Sequence, residues 1–286
     1  MNFSRKFIKN FDVHEMDIHV HTAASKCSSR PLINAIQEGI TNKLKLIGIV
    51  DHLDENNLNL LLNRAKDNPP SKYKDNIDVV YGIEIDFFEK KQELHSKQIL
   101  SEFDFVCAAI HWLNNYPVDF FPETKEENKK KGLKPIDLRD VIVNQIEKTT
   151  KEQFFELYIE TVYTLLGNDY VDVWVHPFRS LGFLLIYNRN YLDYFIEKYV
   201  DNIIDVLKNS KIAFELNEGL FNNLRFRGGV FFNDYIENEW LKFYSKIYTK
   251  MKKNEIPIVY GTDSHSKNTK IGNYNWVKKV LNLANK

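Results

Sequence analysis

The chain alternates short, near-continuous apolar runs with stretches of helical periodicity, and this alternation limits its fold more than any other feature. Seven runs rich in β-branched and aromatic residues fall at about 16–22, 46–50, 77–85, 103–110, 171–176, 212–216 and 256–261. Most are apolar at consecutive positions, as in Lys45-Leu46-Ile47-Gly48-Ile49-Val50, which suits parallel strands covered on both faces. Between them lie helical patterns. Residues 31–39 read as a helix with Pro31 in its first turn and Gly39 near its end. Phe154, Phe155, Tyr158, Ile159, Val162, Leu165 and Leu166 recur at helical spacing, and 191–207 and 239–253 behave similarly. Strand–helix alternation of this kind argues an α/β fold with a parallel sheet. At 286 residues an α/β barrel fits within one domain, and no boundary stands out at which to divide the chain.

The ends of these runs carry the chemistry. Of eight histidines, six sit in Asp17-Ile18-His19-Val20-His21, Val50-Asp51-His52, Ile110-His111-Trp112, Val175-His176-Pro177 and Asp263-Ser264-His265. A further run ends in Gly82-Ile83-Glu84. His19 and His21 are two residues apart on one strand, so their side chains share a face and can reach one ion. An isolated histidine at a strand end is more often a satisfied, half-buried polar residue. Six histidines, a glutamate and an aspartate at successive strand ends are not explained that way. The C-terminal face of a barrel is where its functional groups converge, and imidazoles with carboxylates are the ligand set of Zn, Mn and Fe ions. His14 and His95 lie outside such motifs and read as surface residues.

Composition narrows the function classes. With 39 basic and 39 acidic side chains the formal net charge is zero, so no global polyanion-binding surface is expected. Two cysteines, Cys27 and Cys107, are too few for a disulfide framework and fit a reducing compartment. Cys107 lies in an apolar run and reads as core. The N-terminus lacks an apolar leader core, and no apolar run approaches the ~20 residues that span a bilayer. A soluble cytoplasmic protein is expected. Residues 113–149 break the alternation with the charged stretch 123–132 and are expected to form an insertion after the fourth strand.

Taken in order, the motifs resemble those of the PHP (polymerase and histidinol phosphatase) superfamily. The HxH pair, Asp51-His52, Glu84, the single histidines His111 and His176, and the terminal Asp263-Ser264-His265 cover nearly the whole chain. The resemblance implies a distorted seven-stranded (β/α) barrel, TIM-like, with two or three divalent transition-metal ions at its C-terminal face. Phe103 to Asn114, Tyr170 to Pro177 and Phe214-Glu215-Leu216-Asn217 are most similar to the histidinol-phosphatase type. Many members carry a histidine six residues after the HxH pair, where this chain has Cys27. A thiolate there can replace imidazole and favours zinc.

On this likeness the expected activity is hydrolysis of a small phosphate monoester by a metal-activated hydroxide. His19, His21, Glu84 and Asp263 would hold one ion; His111 and His176, with Glu84, a second; His52 and His265, with Cys27, a third. Catalytic roles are expected for Glu84, Asp263 and Asp51. Asp51 is a candidate acid for the leaving oxygen, or a hydrogen-bond partner to a ligating histidine, as Asp17 and Asn217 also are. Arg179, Arg225 and Arg227 are expected at the barrel mouth as planar donors to phosphate, with Lys267 a weaker candidate. Trp112 and Phe178, beside ligands, are candidate pocket walls. The alternatives are a nuclease or nucleotide phosphoesterase of the same superfamily, for which Lys129-Lys130-Lys131 and Lys134 are the only hint, a metal-dependent amidohydrolase, and an inactive metal-binding scaffold.

Overall fold

The computed structural model describes residues 8, 11–54, 56–87, 96–110, 151–179, 181, 190–220, 234–265 and 269–285. Seven parallel strands are arranged in sequence order: β1 (Met16–Val20), β2 (Leu46–His52), β3 (Asp78–Asp86), β4 (Phe105–Ala109), β5 (Val173–Trp174), β6 (Ala213–Asn217) and β7 (Ile258–Gly261). Helices lie between them: α1 (Leu32–Thr41), α2 (Leu58–Asp67), α3 (Lys97–Leu100), α4 (Lys151–Leu166), α5 (Asn190–Phe195), α6 (Asp201–Asn209), α7 (Asp234–Lys253) and, after the last strand, α8 (Asn275–Ala284). The result is a distorted, nearly closed (β/α)7 barrel.

The apolar runs become strands because both of their faces are covered. Along β2, Leu46 and Val50 enter the main core, while Ile47 and Ile49 pack with Ala35 and Ile36 of α1 in a second cluster. That two-sided burial explains why the run does not alternate with polar residues. β2 runs on to His52, two residues beyond its apolar stretch, so His52 is the last residue of the strand itself. α5 and α6 join through a π-helical turn, Ile196–Val200, within the expected 191–207 helix. Pro31 stands at the N-cap of α1, where its missing N–H costs nothing.

The seam between β7 and β1 is closed sparingly. Val20 and Ser264 form one parallel bridge, with His21 N–H donating to Ser264 O at 3.1 Å. Below it, the buried Asp17 carboxylate accepts from Thr262 N–H (3.0 Å), Thr262 Oγ1 (2.7 Å) and Gly272 N–H (2.9 Å). The Asp17 side chain therefore takes the place of ladder bonds. It makes no bond to an imidazole ring in the described residues, which corrects the expectation that it partners a ligating histidine.

Candidate metal centre

The strand C-termini bring five side chains to one buried point. His19 on β1 and His21 just beyond it approach with their Nε2 atoms 3.1 Å apart. Glu84 Oε2, from β3, lies 3.3 Å from each. Asp263 Oδ1, two residues past β7, lies 3.7 and 3.4 Å from the same two nitrogens. From the far side, His176 Nε2 meets Glu84 Oε1 at 2.8 Å. All five residues are buried. β1 is irregular between Asp17 and Val20 in its pairing with β2, so His19 sits within a distortion of the strand.

Two of these residues are held in a backbone region that L-residues rarely adopt: His176 at φ 30° and Asp263 at φ 52°. Such positions cost on the order of 1–3 kcal/mol and persist only where the surroundings over-determine them. Next to His176, Phe178 is also left-handed at φ 64°. Its ring is buried among Trp174, Phe195, Phe214 and Phe243 at centroid distances of 5.0–5.8 Å, and Tyr244 Oη donates to Pro177 O. Aromatic packing thus holds the turn that aims His176. Phe178 belongs to the core, and this corrects its reading as a wall of the substrate pocket.

A second group lies outward of the first. His21, Cys27, His52 and His265 place one donor atom each within 4.8 Å of one another. The ring of His21 stacks on those of His265 (4.2 Å) and His52 (4.8 Å), and Cys27 Sγ lies 4.0 Å from His21 Nδ1. Cys27 is exposed, whereas His52 and His265 are partly exposed. His21 therefore faces both groups, one through each ring nitrogen.

The electrostatics of both groups call for positive charge. Burial opposes ionisation of Glu84, but His52, His19 and His176 outweigh it and hold its carboxyl well below the usual range. Asp263 is likewise depressed against burial by His265 and His21. Burial disfavours the His19 imidazolium, yet Glu215 and Glu84 raise its pKa well above the ordinary value; Asp263, Cys27 and Glu84 do the same for His21. Burial raises the Cys27 thiol, but hydrogen bonds to His21, His265 and His52 bring it down to about 4. The carboxylates and the thiolate thus place a demand for positive charge on the imidazoles. Divalent ions would meet the same demand, so the donor set fits them.

Asp51 has a different setting. It is fully buried and accepts from Thr22 N–H (2.7 Å), Thr22 Oγ1 (2.8 Å), Ser25 Oγ (2.7 Å) and Arg64 Nη1 (2.6 Å). Ser25 Oγ also accepts from His52 N–H at 2.8 Å. Asp51 thereby ties the loop after β1 to β2 and α2. Gly82 of β3 lets the Phe105 ring pack against the strand, where a β-carbon would meet it at 2.6 Å.

Arg179 follows His176 by one turn, its N–H donating to His176 O at 3.2 Å. His111, Arg225, Arg227, Lys267, Trp112, His95 and the 113–149 insertion lie outside the described residues. His14 is exposed and makes an edge contact with Tyr274. One residue of the site lay within a matched segment, Phe214-Glu215-Leu216-Asn217, but was given no role by the motif reading. Glu215 of β6 is fully buried and meets His19 Nδ1 through Oε1 at 2.8 Å. Asn217, expected beside a histidine, instead donates to Glu215 Oε2 at 2.8 Å. The signal available was an acid in the middle of an apolar strand, Ala213-Phe214-Glu215-Leu216, where an unpartnered charge is too costly to bury.

Fold and site define a β/α barrel with a transition-metal type of donor cluster at its C-terminal face. The chain belongs to the PHP family: the PHP domain matches residues 17–219. Among curated proteins no sequence matches it. Among solved structures it is similar to histidinol phosphate phosphatase from Lactococcus lactis, determined with zinc, L-histidinol and phosphate. That match has 18% sequence identity and a TM-score of 0.57, and covers 96% of this chain and 94% of the other. The likeness shows the shared barrel. No helix among the described residues is long and apolar enough to cross a membrane.

Proposed function

We propose that this protein is a metal-dependent phosphoesterase that hydrolyses a small phosphate monoester, with histidinol phosphate as the first candidate. The observation that carries the reading is the convergence of His19, His21, Glu84, Asp263 and His176 on one buried point at the strand C-termini. Family membership and a structural neighbour that binds zinc, histidinol and phosphate support it. Bound divalent ions would supply Lewis acidity and lower the pKa of water to near neutrality.

The residues divide the work as follows. His19, His21, Glu84 and Asp263 would hold one ion, and Glu84, whose second oxygen meets His176 Nε2 at 2.8 Å, would contribute with His176 to a second. His111 joins His176 in this assignment. His52, His265 and Cys27, with the outer nitrogen of His21, would form a third position, where a thiolate would favour zinc over manganese. Asp51 is a positioning residue in this scheme, because both of its oxygens are engaged by Thr22, Ser25 and Arg64. That replaces its expected role as proton donor to the leaving group. Arg179, with Arg225 and Arg227, is assigned to the phosphate oxygens. The test is steady-state phosphate release from histidinol phosphate, an aryl phosphate and a 5′-phosphorylated oligonucleotide. Preference for histidinol phosphate supports the specific reading, and turnover of the oligonucleotide alone would replace it with a nuclease.

A further inference from the structure

Glu215 ties two of the donor-bearing segments together. Its Oε1 accepts from His19 Nδ1 at 2.8 Å. Its Oε2 accepts from the backbone N–H of His176 at 2.6 Å and from Asn217 Nδ2 at 2.8 Å. A carboxylate has no proton to give, so Nδ1 of His19 must be the donor. That leaves Nε2 as the ring atom that faces His21 and Glu84. The packing admits nothing else here: a β-carbon on Gly261 would fall 2.0 Å from Glu215 Oε1 and 2.5 Å from His19 Cβ.

We propose that Glu215 is a positioning residue, a proposal that rests on the metal-dependent reading above. Through one carboxylate it fixes the Nδ1–H form of His19 and, by gripping the His176 main chain, the strained turn that aims the second histidine. The arrangement discriminates a carboxylate from an amide of the same size. Oε2 receives two donors, so a glutamine at 215 must put its oxygen there. Its NH2 group then faces His19 Nδ1, and two donors cannot share that contact. The ring proton moves to Nε2, and a nitrogen that carries a proton cannot ligate a metal.

The experiment compares the wild-type chain with Glu215→Gln, measuring zinc affinity by chelator competition and the downfield Nδ1–H proton resonance of His19 by NMR. Loss of such a partner to a ligating histidine costs about 10- to 100-fold in metal affinity. That loss is expected, together with disappearance of the resonance and an unchanged circular dichroism spectrum of the metal-free protein. A purely structural role would lower metal-free stability and leave zinc affinity alone; zinc affinity equal to wild type would overturn the proposal. Should Glu215→Gln fail to fold, Asn217→Ala carries the test. It removes one bond that orients the carboxylate and keeps the His19 contact, so weaker zinc binding is expected and unchanged binding overturns the proposal. Wild-type protein that binds no zinc, manganese or iron would instead overturn the metal reading itself, a failure visible before any variant is made.

Discussion

The two donor groups share His21 and differ in almost everything else. The inner one, His19, Glu84, His176 and Asp263, is buried, carboxylate-rich and braced from behind by Glu215 and from the side by an aromatic core. The outer one, His52, Cys27 and His265, is partly exposed and hangs on loops after β1 and β7 and on the last residue of β2. Ligands whose own rotamers are locked hold geometry tightly, whereas exposed ones exchange and adapt. On the function proposed above, the chemistry would belong to the inner group and tuning or substrate capture to the outer one.

The strongest way to break that division is to remove its shared carboxylate. Glu84→Gln keeps the shape and takes away the charge that four imidazoles face; phosphate release should fall by at least about 10³-fold, with loss of bound metal by elemental analysis. His52→Ala should retain far more activity than either Glu84→Gln or His176→Ala. Equal losses would mean that the two groups act as one.

Asp51 separates support from chemistry. Asp51→Ala leaves Arg64 buried without its partner, which costs about 3–5 kcal/mol by urea unfolding of the metal-free protein. A variant that keeps its stability and loses only turnover would restore Asp51 to the proton-transfer role. A graded chelator titration sharpens the comparison further. Metal should leave the outer group first, in a step that Cys27→Ser shifts toward weaker zinc binding by about tenfold and that leaves the inner group unmoved.

The smallest effect lies behind the site. Burial pushes Glu218 up from its ordinary 4.5 to about 7, against hydrogen bonds from Trp276 and Val277 N–H at the start of α8. The folded state then holds more protons than the unfolded state between those values. Stability should therefore be greatest below pH 4.5 for this group and decline as pH rises through 7. Glu218→Gln should flatten that part of the stability profile measured by thermal unfolding.

Much of this was legible before the fold. The strands announced themselves because two-sided burial forbids polar alternation, as in β2. The candidate ligands did so because histidine at strand end after strand end has no competing structural use, and the described ones do converge. Glu215 was hidden for the converse reason: one acid in an apolar strand has a use only when its partners from β1 and the turn after β5 are brought to it. Asp51 stands beside His52, and on alternating positions of a strand its side chain points away from that ligand, to Thr22, Ser25 and Arg64. Asp17, two residues before His19, would share its face in a regular strand; the irregularity of β1 between Asp17 and Val20 lets it turn to Thr262 and Gly272 instead. Cys27 was readable by its spacing from His21, but its company came from separate segments, His52 from the end of β2 and His265 from the loop after β7.

The central claim is that the inner group runs a metal-dependent phosphate ester hydrolysis. The most direct test is phosphate release from histidinol phosphate by protein purified without chelator, then stripped, then restored with zinc or manganese, beside Glu84→Gln throughout. The account predicts turnover that disappears on stripping, returns with metal in the wild type, and does not return in Glu84→Gln. Turnover that survives stripping, or that Glu84→Gln retains in full, would contradict it.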